Sequence, residues 1–370
     1  MIYYFLISLP FLFFYIELIK ENKYENKKIF WTISFFILLV VLGFRHNIGG
    51  DWFQYKFTIE YLPKESLRIK DAQTVKIDFI QGINFINIFY YLVYILNKLN
   101  ISTIYVVNLI LSLFYLISLF RFCNSFKFRW LALLSTMPYL TIIVSTGYIK
   151  QALAISFLFF ALDKFLKKDE NKGFMPYLIF MFFSHISSAF LLIISISKKN
   201  FKYLSLLCFL IIIIFYDNFQ EILFNYLFEY EKESKGFLFR LFVNIIYLIP
   251  ILFLIRQKKI THNELSLTLL NIFVVISSLI FFLLYPNTST FLDRLNLYML
   301  AFFPMYINLT LTNQKHIFLI KYINPKIIYL SFYIFNILYF FVWSNYGNAY
   351  EYWKYYDNII LKYVKILLIT

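Results

Sequence analysis

Apolar runs long enough to cross a bilayer follow one another almost from end to end of this chain, and very few folds can hide so much apolar surface. The runs cover residues 1–19, 29–44, 79–97, 101–120, 130–146, 149–166, 174–196, 201–216, 237–255, 265–285, 291–311 and 327–343, with a short apolar tail at 358–370. Lipid offers no hydrogen bonds, so a spanning chain must satisfy its own backbone as helices or as a closed barrel. Barrel strands read as short alternating segments, whereas these runs are long and continuous. The predicted fold is therefore an all-α polytopic membrane protein, one integral membrane domain over 1–370. A crossing takes about 20 residues, which gives about ten to twelve transmembrane helices. Composition agrees, with 61% hydrophobic and 15% charged residues against about 45–50% and about 25% in soluble domains. Residues 1–19 lack a positive n-region and a small-residue cleavage site, so they read as a first span rather than a signal peptide.

The net charge of +15 does not indicate nucleic acid. Its Lys and Arg residues fall in short clusters between apolar runs instead of along one basic stripe. That is how cytoplasmic connections look under the positive-inside rule. Arg256, Lys258 and Lys259 form one such cluster, Lys198, Lys199 and Lys202 another, and Lys315, Lys321 and Lys326 a third. The same rule places Arg121, Lys127 and Arg129, and Lys164, Lys167, Lys168 and Lys172, on the cytoplasmic side. The acidic stretch 217–236, the turn 285–294 and the aromatic stretch 343–357 then face outward. The hairpin 130–166 points its tip, 147–151, the same way, and 174–196 starts and ends inside, which requires a break near 184–188. Short or broken helices are thus expected near 147–151 and 184–188; irregular backbone at membrane depth survives only where it is buried or lines a cavity.

Residues 45–78 make a candidate extracytoplasmic loop whose six basic and five acidic residues barely vote on sidedness. Two full spans between 79 and 120 would put it inside. An outward placement needs 79–97 or 130–166 to be incomplete or re-entrant.

Charged groups inside a membrane protein are functional-site candidates by default, although those near helix ends can snorkel. Arg45 follows the run 29–44 and opens the sequence Arg-His-Asn-Ile-Gly-Gly-Asp-Trp-Phe-Gln-Tyr, ending at Tyr55. A guanidinium beside a glycine-rich turn suits a phosphate or diphosphate, which its planar fork binds bidentately. Gly49 and Gly50 bring Arg45, His46 and Asp51 within reach of one volume. Lys150 and Gln151 interrupt the apolar stretch 130–166, where a helix N-terminus would add to the pull of Lys150 on an anion. His185 titrates in the range of an acid or base. Asp293 and Arg294 open 291–311, with Tyr298 one turn on. Between Trp343 and Tyr356, aromatic rings including Trp353 could form an interfacial belt or pack against sugars. Cys123 and Cys208 lie far apart near apolar stretches and read as buried thiols. P-loop, metal-cluster, nucleophile-elbow and dinucleotide motifs are missing, so no metal and no cofactor is expected.

The pattern Arg45-x-x-x-Gly49-x-Asp51-x-x-x-Tyr55 after an apolar span resembles the first block of the EpsG-like and O-antigen polymerase (Wzy) proteins of bacterial surface polysaccharide synthesis. Ile149-Lys150-Gln151-Ala152-Leu153-Ala154 is similar to that family's Ile-Arg-Gln-x-Leu-Ala helix start, with Lys in place of the usual Arg. Ser184-His185-Ile186-Ser187-Ser188-Ala189 is similar to its His-x-Ser-Ala element, and Arg294 with Tyr298 to its late Arg-x-x-x-Tyr.

The resemblance implies a glycosyltransferase of the cytoplasmic (inner) membrane that joins oligosaccharide repeat units carried on polyprenyl diphosphate into O-antigen, capsule or exopolysaccharide, without nucleotide or metal, at an outward-facing site. Its partners would be those lipid-linked donors and acceptors, membrane lipids, a chain-length regulator and a flippase. In that scheme Arg45, Lys150, Gln151 and Arg294 hold the diphosphate, Asp51 or His185 takes the acceptor proton, and His46, Tyr55, Asp293, Tyr298 and Trp353 contact substrate. The competing readings are an O-antigen ligase, which differs only in its acceptor, and a flippase for the same lipid-linked sugars, which would be expected to show internal pseudo-symmetry.

Overall fold

The computed structural model describes residues 2–19, 24–61, 87–167, 173–197, 234, 236–318, 320–347 and 350–360. The expected run 201–216, the cluster Lys198, Lys199 and Lys202, nearly all of the acidic stretch 217–236 and residues 62–78 of the first loop lie outside the described residues.

The fold is helical, as expected. In order come α1 (Ile2–Ile19), α2 (Tyr24–Gly43), β1 (Arg45–His46), α3 (Trp52–Tyr61), α4 (Ile88–Lys98), α5 (Ile104–Asn124) and α6 (Arg129–Thr136), then a π-helical segment (Met137–Val144), α7 (Ser145–Gly147), α8 (Ile149–Leu166) and α9 (Met175–Ser184). A 3-10 segment (Ile186–Ser197) follows, then α10 (Phe237–Arg256), α11 (His262–Leu284), α12 (Ser289–Met299), α13 (Phe303–Thr312), α14 (Pro325–Tyr346), α15 (Glu351–Lys354) and β2 (Asp357–Asn358). Among the described residues six stretches are long and apolar enough to cross a membrane: Ile104–Asn124, Arg129–Gly147, Phe237–Arg256, His262–Leu284, Ser289–Thr312 and Pro325–Tyr346. Shorter apolar helices occupy Ile2–Leu18, Lys28–Gly43 and Met175–Ser184.

Two differences from the sequence reading matter. The loop beginning at 45 contains helix α3, because Trp52, Tyr55 and Ile59 recur at helical spacing and bury one face. Within the run 79–97, the described helix is only α4, 11 residues or about 16 Å, half a bilayer. Asn87 caps its start, its side chain accepting from the Phe89 amide at 2.9 Å, and Asn100, left-handed at φ 57°, turns the chain just past its end. A helix this short does not cross, and the His46 imidazole lies 2.6 Å from the Tyr105 hydroxyl, which sets the residues after α2 beside the start of α5.

The two ends of the bundle differ in charge. At one end Arg121 and Lys167 both pair with Asp163 at 2.9 Å, and Arg129 pairs with Glu17 at 2.7 Å. There Asn263 donates to the Phe165 carbonyl and Gln257 to that of His316. These contacts tie the basic connections around residues 121–129, 163–167, 256–263 and 315 to one another. At the other end, β1 and β2 pair antiparallel, Arg45 opposite Asn358 and His46 opposite Asp357, and the turn after β1 meets α7, Gly49 against Thr146 and Gly147.

The spans are stapled by polar contacts buried between helices. Asn244 and Asn271 exchange hydrogen bonds at 2.9 Å, and Asn271 also donates to the Tyr306 hydroxyl at 3.1 Å. Such bonds hold together helices whose apolar surfaces alone have no reason to prefer each other over lipid. Within the stretch Arg129–Gly147, residues 130–147 are all buried. Pro138 brings no amide to its ladder, and the helix widens into the π segment there. Thr141, Thr136 and the Tyr115 hydroxyl bond to one another across this widened part, at 3.1 and 3.3 Å.

Candidate functional site

The site grows from a junction of three chain segments. Gly49 is left-handed, φ 105°, and a Cβ on it would lie 2.6 Å from both the Gly147 Cα and the Thr146 carbonyl oxygen. Only glycine permits this approach. The Gly49 amide donates to the Tyr352 carbonyl at 3.1 Å. A Cβ on Gly147 would run into the Trp353 ring, whose indole N–H donates to the Thr146 hydroxyl at 2.7 Å. Trp353 is fully buried. It is the wedge between these segments, where the sequence left an interfacial belt and a sugar platform open for this aromatic stretch.

Beyond this junction Lys150 and Arg294 act electrostatically on Asp51 and Tyr55 and also on His185. Asp51 starts α3, bonds with the Tyr55 side chain one turn later and faces Arg294 and Lys150. Burial outweighs both cations and raises its pKa above the usual carboxylate value. Lys150 is the second residue of α8, where its Nζ donates to the Tyr90 hydroxyl at 2.8 Å. The rings of Tyr90, Phe89 and Tyr55 surround that ammonium at 4.4, 5.5 and 5.9 Å. Gln151 beside it is buried.

His185 sits where α9 stops after 10 residues, about 15 Å of rise, with φ −159° and ψ 123°. The expected break near 184–188 is therefore present. The Ser188 hydroxyl donates back to the Met181 and His185 carbonyls, and the 3-10 segment starts from that turn. Both Arg294 and Lys150 act electrostatically on the imidazole. The Ser187 amide donates to His185 Nδ1 at 3.3 Å, and an amide can only donate. Nδ1 is thus unprotonated, and in the neutral ring Nε2 carries the hydrogen. The Ser187 hydroxyl lies 2.6 Å from the same Nδ1 and 3.1 Å from the Tyr298 hydroxyl, which anchors the broken helix to α12. Tyr298 is fully buried.

The remaining expected residues form the wall behind this cluster. Arg45 is 1% exposed; it donates to the Leu42 carbonyl at 2.5 Å, closing the end of α2, and to Asn108 Oδ1 of α5 at 2.9 Å. Burial lowers its pKa to about 10, so it remains charged at neutral pH. His46 turns toward α5, with Nδ1 2.6 Å from the Tyr105 hydroxyl. Asp293 is engaged by Arg240 and by Ser234, whose hydroxyl donates at 2.9 Å.

Arg240 was missed by the sequence reading, although a charge inside the run 237–255 was a signal by the rule applied to Lys150. Its guanidinium also lies 4.9 Å from the Tyr139 ring centroid in the π segment. Removing one member of a buried pair strands the other and costs about 3–5 kcal/mol, while apolar replacement of both is often neutral. Arg240→Met should accordingly lower the melting temperature of the detergent-solubilised protein sharply. Adding Asp293→Leu should recover most of that loss.

Chemically, the cluster sets two cations, Lys150 and Arg294, beside a carboxylate and an imidazole in a partly buried volume. The cations suit an anion, Asp51 can take a proton, and His185 presents an N–H. Among the described residues no group of three or more His, Cys, Asp or Glu comes together to hold a metal. No curated protein and no solved structure matches the chain. The ordered motifs, by contrast, are matched over nearly their whole extent: a family model described as the EpsG family covers residues 28–357, and the protein belongs to that family.

Proposed function

We propose that this protein is a polysaccharide polymerase that joins oligosaccharide repeat units carried on polyprenyl diphosphate. Family membership supports a polymerase-like role in surface polysaccharide synthesis. The observation that carries the finer reading is the convergence of Lys150 and Arg294 on Asp51 and His185. In this reading Lys150 and Arg294 hold the donor diphosphate and stabilise charge on it as the glycosidic bond breaks. Asp51 takes the proton of the acceptor hydroxyl, because His185 Nδ1 already accepts from Ser187. The imidazole N–H instead donates to substrate. Arg45 and Asp293 position the turn and α12. The basic connections at the opposite end favour a site facing outward from the cytoplasmic membrane.

Gel analysis of surface polysaccharide in a deletion strain tests this assignment. Single repeat units without long chains are expected. Polymer left off its final carrier would indicate a ligase, and complete absence of surface glycan a flippase.

The pH dependence of polymerisation in reconstituted membranes tests Asp51. A base must be ionised, so the rate should rise with pH through a value above the ordinary carboxylate range, and Asp51→Asn should abolish it. The stability effect has the opposite sense. A carboxyl whose folded pKa is raised contributes stability at low pH and loses it as pH rises through that pKa. Asp51→Asn should therefore melt no lower than the parent at neutral pH.

A further inference from the structure

α3 and α4 each bury one face in a second hydrophobic cluster, where Trp52, Tyr55 and Ile59 meet Phe89, Val93 and Leu96 against Ile104, Val107 and Leu111 of α5 and Ile149 and Leu153 of α8. Their opposite faces are apolar too. On α3, Phe53 and Phe57 are 66% and 63% exposed; on α4, Tyr91, Ile95 and Leu99 at its C-cap are 39%, 54% and 60% exposed. The spacings i, i+4 and i, i+4, i+8 put each set on a single stripe. Water-facing helices do not carry such stripes, and neither helix is long enough to cross.

The stripes adjoin a surface already committed to lipid, since α5, against which α3 packs, exposes Leu113 and Ile117 along its spanning length. At the end of α4, exposed Lys98 lies with its ammonium 5.6 Å from the Tyr94 ring, the arrangement of a basic group reaching from an aromatic ring to the headgroups.

We propose that α3 and α4 are in-plane helices seated at the headgroup–acyl boundary of the leaflet at the candidate-site end, with Phe53, Phe57, Tyr91, Ile95 and Leu99 in contact with lipid. The occupant of this face is the bilayer itself. Because Tyr55, Phe89 and Tyr90 on the inner faces of the same helices surround Lys150, an anion borne on a lipid reaches that ammonium from the leaflet rather than through bulk water. The seating stands on geometry alone and holds whichever reaction the site performs.

Nitroxide labels on Phe57→Cys and Ile95→Cys test it, in the full chain with Cys123 and Cys208 replaced by alanine and reconstituted in lipid nanodiscs. Collision with oxygen, which concentrates in lipid, is expected to exceed collision with a water-soluble nickel chelate several-fold, as for a control label on Phe273→Cys in α11. Dominant collision with the chelate would place the helices in water and overturn the proposal. Low collision with both reagents would mean that protein covers the face, and would overturn it equally. Labels on Phe53→Cys and Leu99→Cys give a second pair, read in any variant that elutes as a folded species.

Discussion

Replacing Arg294 with alanine should reduce polymerisation by about 10²–10³-fold, the usual loss when one preorganised group is removed from a developing negative charge. The surface glycan would then consist mainly of single repeat units. A second readout separates this role from a structural one. Arg294 pulls the Asp51 pKa down against the effect of burial. Without it the carboxylate is less favoured, so the acidic limb of the residual activity should move to higher pH. Arg294→Lys keeps the charge but loses the fork, and should restore the pH profile more fully than the rate. An unchanged profile in Arg294→Ala would remove Arg294 from the neighbourhood of the base.

The second large effect is expected at the glycine junction. Gly49→Ala adds a methyl group to a left-handed backbone already against the Thr146 carbonyl and Gly147. Overpacking costs about 1–3 kcal/mol, and holding a side chain at that φ costs of order 1–3 kcal/mol more. Folded yield and melting temperature should both fall steeply. Gly147→Ala meets the Trp353 ring instead, which a smaller side chain can relieve. Gly147→Ala combined with Trp353→Leu should therefore be more stable than the sum of the single losses, a coupling that a double-mutant cycle measures. Strict additivity would mean that Trp353 does not wedge the two turns together.

Fold class was legible because apolar run length is a one-dimensional quantity and lipid leaves the backbone few options. The break at His185 was legible from charge parity, and Lys150 and Arg294 from the cost of placing charge among apolar residues. What was not legible depended on partners distant in sequence. Arg45 has the chemistry of a diphosphate ligand, yet Asn108, 63 residues away, holds one end of its fork. Trp353 has the chemistry of a sugar platform, but Thr146 and Gly147 receive it as a wedge. Residues 79–97 were apolar enough to span, and only the Asn87 cap and the turn at Asn100 mark the described helix as short. Local composition records what a side chain can do; the segment that arrives beside it decides what it does.

The pairing of His46 with Asp357 also has a consequence for the order in which the protein matures. The turn carrying Asp51 is made well before the strand and the tryptophan that brace it, which come more than 300 residues later. Until that later segment has been synthesised and has folded back, the turn has no β partner and the Gly49 amide no acceptor at Tyr352. The candidate site is therefore completed only after Tyr352, Trp353 and β2 have been made, and a nascent chain that stops short of them still lacks it.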